Sequence, residues 1–323
     1  MELSNIRLRN LFHYDPESKK LSPISTIKYF RMPEDREYPL DLDKNYETYV
    51  HRKHEYPGLL DMMQYYSGHV DKSAFTRHDF DVFCCRGVLR NLTEAKPLSS
   101  FSIDLSLEAF RHNGCIFLKL HRKEEEANAR NSYVFKARQY LFSAEPGKLP
   151  DADASLDERD QMYGMFSAQL GQFRLLYSSE VVGVTNTEKL GDLTEPEELE
   201  KCSLTIVRVV KSYVKWRTSF RCASWVLQAY LCGASQLAVA KFDENGCVSE
   251  RIEVEAVGDF LESKLSHYQT GFKQLKGFLE QIRQKLDEID NPNVGLKFTL
   301  VGNVLIFDEA FKSDFLEKAN INF

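Results

Sequence analysis

The sequence has no run near the roughly 18 consecutive apolar residues that a membrane-spanning helix requires. Its amino-terminal MELSNIRLRNLF has neither the apolar core nor the small-residue cleavage site of a secretory signal. An intracellular protein, cytoplasmic or nuclear and not secreted, is therefore expected, with no membrane partner. Paired cysteines are missing as well: Cys84, Cys85, Cys115, Cys202, Cys222, Cys232 and Cys247 include no C-x-x-C. Their odd number and irregular spacing argue against a disulfide framework and a structural zinc site, and for reduced thiols. Nor is positive charge in surplus. The net charge is −6, so no global basic field advertises nucleic acid, although a local basic strip stays open. Glycine-rich phosphate loops, H-E-x-x-H and G-x-S-x-G are absent, which removes the common dinucleotide, P-loop, zinc-peptidase and serine-hydrolase readings. The eight histidines fall at no ligand spacing; His51 and His54 are close but sit in a polar stretch. No internal repeat or long low-complexity tract interrupts the chain.

What is present suffices for a substantial core: of 323 residues, 43% are hydrophobic and 12% aromatic. Residues 1–56 are polar and aromatic, punctuated by Pro16, Pro23, Pro33 and Pro39 and closed by Pro57. They read as an irregular arm over the body. Residues 58–80 read as a helix and then turns, and DVFCCRGVLRNLT as a strand or short helix. Residues 101–121 predict a β-hairpin about His112-Asn113-Gly114, since Asn-Gly is the strongest short hairpin signal. A helix is expected over KEEEANARNSYVFKARQYLF and a polar loop over EPGKLPDADASLDERD. FRLLYSSEVVGVT and CSLTIVRVVKSYV read as two β-branched strands joined by an acidic loop.

Further on, residues 213–232 predict a helix ending at Gly233, with Trp216, Phe220, Leu227 and Leu231 as its apolar stripe. SQLAVAKF and CVSERIEVEAV read as a second hairpin. A long amphipathic helix begins at Asp259, with Glu262 completing a capping box, and a last hairpin turns at Gly302-Asn303. Hairpins mixed with helices, without strict βαβ alternation, indicate an α+β or mixed-sheet architecture.

Two features ask for an explanation. Glu180 stands inside the apolar run LLYSSEVVGVT, where a lone carboxylate is costly unless paired. RVVKSYVKWRTSFR interleaves Arg208, Lys211, Lys215, Arg217 and Arg221 with Tyr213, Trp216 and Phe220. Trp216 and Phe220 read as core. The arginines read either as partners of loop carboxylates or as phosphate ligands, for which guanidinium forks are suited. Arg217, Arg221, Ser224 and Gln228 fall at helical spacing on one face.

Four stretches in order resemble the decapping exoribonuclease family, the DXO-like group that includes the fungal companion of the nuclear 5′–3′ exoribonuclease. They are DLDKNYETYV; FCCRGVLRNL, which keeps Arg86-Gly87 but has Cys85 for the usual tryptophan; SSEVVGV; and WVLQAYLCGASQLAVAKFDENGCV, where Gln228, Leu231, Gly233, Phe242 and Gly246 fall in place. The resemblance covers roughly residues 40–260. It implies a single domain over 1–323, with two mixed β-sheets flanked by helices and a nuclease-like cleft between them. It also implies hydrolysis at RNA 5′ ends, removing incomplete or atypical caps and then nucleotides. Carboxylates and a lysine would hold two divalent ions, Mg²⁺ or Mn²⁺, on hard oxygen ligands.

Residue by residue, that site is incomplete. YVFKARQY puts Arg138 where the family has a glutamate. In the Glu-x-Asp motif Glu180 is kept and Val182 replaces the aspartate. In the Glu-x-Lys motif one register gives Ile206 and Arg208, the other Val209 and Lys211. Glu180 is thus the one retained candidate metal ligand and Lys211 a candidate catalytic remnant; no cofactor is otherwise expected. The resemblance recasts the protein as a family member whose metal centre has decayed, with Arg86, Arg138, Arg208, Arg217, Arg221 and Gln228 as RNA contacts. Glu180 would then pair with Arg138 or Arg208. An active enzyme with rearranged ligands and a protein-binding scaffold of RNA processing are the alternatives.

Overall fold

The computed structural model describes residues 3–51, 56–75, 77–94, 105–121, 129–263 and 265–313; of these, the side chains of residues 129–131, 220 and 265 are not described. His54, Glu124–Glu126 and the Phe220 side chain of the sequence reading lie outside the described set. The chain opens with a 13-residue strand, β1 (Leu3–Asp15), then β2 (Lys20–Pro23), β3 (Tyr29–Phe30) and β4 (Leu40–Asp41). The amino-terminal stretch is therefore not the irregular arm its prolines suggest. β1 hides from a period-two reading because bulges between Ser4 and Arg7 and between Leu8 and Asn10 shift its alternation.

Helix α1 (Leu59–His69) is followed by turns, as expected. The next segment takes both forms its sequence allows: β5 (Val82–Cys85) runs straight into α2 (Arg86–Thr93). β6 (Leu105–His112) and β7 (Cys115–His121) form the expected hairpin. It turns through Asn113 and Gly114 at φ 45° and 74°, the left-handed conformation that a two-residue hairpin turn demands. α3 (Ala129–Leu141) leads directly into β8 (Phe142–Ser143). β9 (Met162–Leu170) has no counterpart in the sequence reading; it is buried on both faces and shows no alternation.

β10 (Phe173–Val181), β11 (Gly183–Val184), α4 (Pro196–Glu200) and β12 (Leu204–Lys211) come next. α5 (Phe220–Leu231) starts later than its pattern suggests, since Trp216–Thr218 form a separate 3-10 turn and Ser219 occupies the cap position. Then follow β13 (Gln236–Phe242), β14 (Cys247–Val248), β15 (Glu253–Ala256), α6 (Val257–Ser263), α7 (Leu265–Ile289), β16 (Val294–Val301) and β17 (Val304–Lys312). The second hairpin is corrected in register: β13 pairs with β15, whereas Cys247 and Val248 pair with β4. The capping box at Asp259 is not formed, because the helix has already begun at Val257. β16 and β17 make the last hairpin as expected.

Nine strands form one sheet in the order β17-β16-β6-β7-β5-β10-β9-β1-β2, and six form another in the order β15-β13-β12-β11-β3-β8. Both mix strand directions: β10 is parallel to β5 and antiparallel to β9, and β12 is parallel to β13 and antiparallel to β11. This is the α+β class with two mixed sheets and flanking helices. α2, α5 and α7 pack on the larger core, where Trp216, Leu227, Leu231, Tyr268 and Phe272 are buried.

One connection positions the site. The run FRLLYSSEVVGVT is not a single strand. β10 ends at Val181 in the nine-stranded sheet, Val182 crosses, and β11 begins at Gly183 in the six-stranded one. A Cβ at Gly183 would meet the Lys28 carbonyl oxygen at 2.4 Å and the Phe142 ring at 2.5 Å, so the crossing is tight enough to require glycine.

Candidate functional site

Beside this crossing lies a cavity of about 700 Å³. Its walls are the carboxyl ends of β5, β7 and β10, part of β12, faces of α2, α3 and α5, and the start of α1. A site at the carboxyl ends of neighbouring strands is the arrangement that open sheets favour, because the chain diverges there and leaves a crevice. β5 and β10 are parallel, with Cys85 opposite Ser178. The residues that follow them, Arg86 on α2 and Glu180 on β10, are therefore delivered to the same end.

Glu180 meets Arg138 of α3 in a two-pronged ion pair. Arg138 Nη1 donates to Glu180 Oε1 at 2.6 Å and Nη2 to Oε2 at 3.1 Å. The two side chains are 14% and 23% exposed, so the pair is largely dry and both charges need each other. The Arg138 guanidinium also lies 5.2 Å from the Phe135 ring centroid, a cation–π contact. The carboxylate of the LLYSSEVVGVT run has its partner, one of the two foreseen.

Arg208, the other candidate, turns elsewhere. Its Nη1 donates to the Val207 carbonyl and its Nη2 to Gln228 Oε1, each at 2.8 Å. Gln228 Nε2 donates to Ser224 Oγ at 3.3 Å, and Ser224 Oγ to Glu94 Oε2 at 3.0 Å. A chain of hydrogen bonds thus fixes the Gln228 amide, whose oxygen holds the Arg208 fork. Burial, then the cations of Arg86 and Arg138, push the Arg208 guanidinium down to about 9, against the pull of Glu180. It remains charged at neutral pH, but it is a cation under repulsion. Arg86, at the start of α2, lies against the buried Cys232 thiol, which burial raises and Arg86 pulls back. Among the described residues neither Arg86 nor Arg208 forms an ion pair.

The cavity wall carries Arg86, Arg90, Lys119, Arg138 and Arg208 against the carboxylates of Glu158 and Glu180. In a chain of net charge −6 this is a local reversal of sign, suited to an anion. Arg90, Lys119 and Glu158 were not foreseen. Arg90 could have been found, because it lies one helical turn from Arg86 in FCCRGVLRNL. Glu158 could not: it sits in a stretch that reads as polar loop, yet only 6% of its side chain is exposed, with His51 Nδ1 at 3.3 Å. Tyr56, Phe135 and Trp225 add aromatic wall.

Other expected residues lie elsewhere. Val182 does not take a ligand position on the cavity wall. It is 9% exposed and packs with Tyr133, Ala137, Val207 and Phe242, because the change of sheet breaks the alternation that would align it with Glu180. Lys211 ends β12 outside the wall, 5.4 Å from the Tyr213 ring centroid. Of the two registers, the one with Ile206 and Arg208 puts its basic residue in the cavity. Arg217 is engaged away from it, by Glu253 at 3.0 Å and by Glu255, and stacks on Trp216. It precedes α5 and so shares no helix face with Arg221 and Gln228. Arg221 is exposed on α5 and is not part of the wall.

Among the described residues no three His, Cys, Asp or Glu side chains gather in a metal-ligating group, and the carboxylate at the crossing carries a guanidinium on both oxygens.

The pattern of the RAI1 like PD-(D/E)XK nuclease family matches residues 10–316. The decapping and exoribonuclease protein Rai1 of Drosophila melanogaster is 24% identical over 246 residues, 70% of this chain and 63% of that protein. This chain thus spans less than two thirds of that relative. The structure of Candida albicans Rai1 in complex with pU5-Mn²⁺ superposes with a TM-score of 0.74 at 11% identity, covering 98% of this chain and 90% of that one. Scheffersomyces stipitis Rai1 in complex with (3′-NADP)⁺ and calcium ion gives 0.72 at 10% identity, covering 97% and 91%. K. lactis Dxo1 in complex with manganese gives 0.63 at 13% identity, covering 96% and 90%. At these identities the likeness is one of fold.

Proposed function

The chain belongs to the RAI1 like PD-(D/E)XK nuclease family, and from that premise we propose that it binds RNA 5′ ends in the cationic cavity, with the family's metal-dependent hydrolysis lost or weak. The fork between Arg138 and Glu180 carries this reading. Two-metal hydrolysis needs carboxylates around the ions. Here a fixed guanidinium stands against the candidate ligand. Its repulsion of a dication a few ångströms away is on the order of several kcal/mol even when screened.

The same charges suit a phosphate. Arg86 and Arg208 present guanidinium groups that form no ion pair among the described residues, and Arg90 and Lys119 widen the positive field. Tyr56, Phe135 and Trp225 supply apolar surface for a base. The pU5 of the Candida albicans structure and the (3′-NADP)⁺ of the Scheffersomyces stipitis structure are ligands of this phosphate-and-base kind. The nucleotide half of that chemistry is carried over, and the metal half is not. Residues 1–323 act as a single nuclease-like domain in the cytoplasm or nucleus, alone or beside a protein of RNA processing.

The test is incubation of the pure protein with capped, NAD-capped and 5′-monophosphate RNA, with and without Mn²⁺. Binding that tracks the 5′ group without cleavage is the expected result. Metal-dependent cleavage that Glu180→Ala abolishes would restore the reading of an active decapping hydrolase.

A further inference from the structure

We infer that the turn from Lys211 to Lys215 is a stacking platform for single-stranded RNA leaving the cavity, with Tyr213 stacking a base and Lys211 and Lys215 meeting phosphates. The inference rests on the cavity being the seat of an RNA 5′ end. Tyr213 is 69% exposed, the most open large apolar side chain among the described residues. Lys211 Nζ lies 5.4 Å from its ring centroid. With the ammonium over one face of a ring that is largely exposed, the turn offers two of the things that single-stranded nucleic acid uses, a second π-face for a base and a positive charge for the backbone.

The turn is held rigid from behind. The Ser212 N–H donates to the Phe242 carbonyl at 2.8 Å, and the Val214 N–H to the Lys211 carbonyl at 2.9 Å. Trp216 is buried and donates its Nε1–H to Glu253 at 2.7 Å. A ring presented on a pinned turn loses little freedom when a base stacks on it.

Two independent paths tie the platform to the cavity. Arg208 is on the cavity wall, and the five residues of chain from it to Tyr213 can span no more than about 18 Å. On the other side, Trp216 lies three residues beyond Tyr213, and its ring centroid is 6.1 Å from that of Trp225, also a wall residue. The charge available differs along the segment. Glu253 and Glu255 engage Arg217, and Glu253 also holds Lys241. Among the described residues Lys211 and Lys215 form no ion pair, so their charge is left for phosphates.

The experiment is titration of the full chain with uridine 5′-monophosphate and with 5′-phosphorylated oligouridylates of increasing length, at one salt concentration. Wild type, Tyr213→Ala, Tyr213→Phe, Lys211→Ala/Lys215→Ala and Arg208→Ala are compared. The wild type should gain affinity with length. Tyr213→Ala should lose about fivefold or more of that gain and bind the mononucleotide unchanged, while Tyr213→Phe keeps the gain because stacking does not need the hydroxyl. The double lysine variant should lose affinity for the longer RNAs only, and Arg208→Ala should weaken every length. If Tyr213→Ala binds all lengths as wild type does while Arg208→Ala is weakened, the platform is wrong and the cavity reading stands. If the wild type binds neither mononucleotide nor oligonucleotide, the cavity reading fails and the platform falls with it.

Discussion

Arg138 closes both terminal nitrogens of its guanidinium on the two carboxylate oxygens of Glu180, at 2.6 and 3.1 Å. One residue comes from α3 and the other from the end of β10, so the pair ties a helix to the sheet crossing. It joins residues 42 positions apart in the chain.

The first prediction concerns this pair's contribution to stability. Arg138→Ala leaves the Glu180 carboxylate largely buried without its fork, and should cost on the order of 3 kcal/mol in chemical denaturation. Arg138→Met/Glu180→Met removes both charges and should cost much less than either truncation suggests. A double variant as unstable as the sum of the single ones would show that the two side chains act independently.

The second concerns the anion. Arg208→Ala and Arg86→Ala should each weaken binding of 5′-phosphorylated RNA. Each should also flatten the dependence of log affinity on log salt, by roughly 0.7 for every phosphate that the variant no longer neutralises. Gln228→Ala should weaken it less and leave the salt slope unchanged, because Gln228 aims the Arg208 fork without carrying charge. Titrations at several salt concentrations separate these cases.

The contrast between these residues shows what a sequence discloses. Glu180 and Arg138 were legible because a charge in an apolar run demands a partner and because a family motif aligns the two stretches. Arg86 was legible for the second reason alone, whereas Arg208 stood out in the interleaved basic and aromatic run and Gln228 by helical spacing as well. Arg217 looked equivalent to them, yet it lies before α5 and is neutralised by β15, and nothing in local spacing reveals a cross-strand partner 38 residues away. Lys119 and Glu158 were invisible because their position depends on which loops and strand ends meet. The hairpin at Asn113-Gly114 is written in local backbone chemistry. β1 and β9 are not, since bulges erase alternation in one and burial on both faces erases it in the other.

The third prediction concerns Val182. Val182→Asp, which would complete the Glu-x-Asp pattern that the resemblance implies, would place a carboxylate in the cluster of Tyr133, Ala137, Val207 and Phe242, away from the cavity wall. The loss of stability should be on the order of 3 kcal/mol or more at neutral pH, and Mn²⁺ should not recover it. Thermal melts with and without the ion give the answer. A melting temperature that Mn²⁺ raises selectively in this variant would mean that position 182 does reach a metal site.

The fourth follows from the lowered pKa of Arg208, about 9 in the folded chain. A base depressed by folding binds fewer protons folded than unfolded between its two pKa values. Its contribution is therefore destabilising below about pH 9 and is relieved as pH rises towards the unfolded value. Binding runs the other way. A phosphate beside Arg208 favours its charged form and raises its pKa, so affinity through this residue is flat below about pH 9. Above that it falls, as the free protein gives up the proton that the complex must take back. Titration with 5′-phosphorylated RNA from pH 7.5 to 10 should show this decline in the wild type and lose its Arg208 component in Arg208→Ala. A wild-type profile that is flat to pH 10 would mean that the phosphate does not contact Arg208.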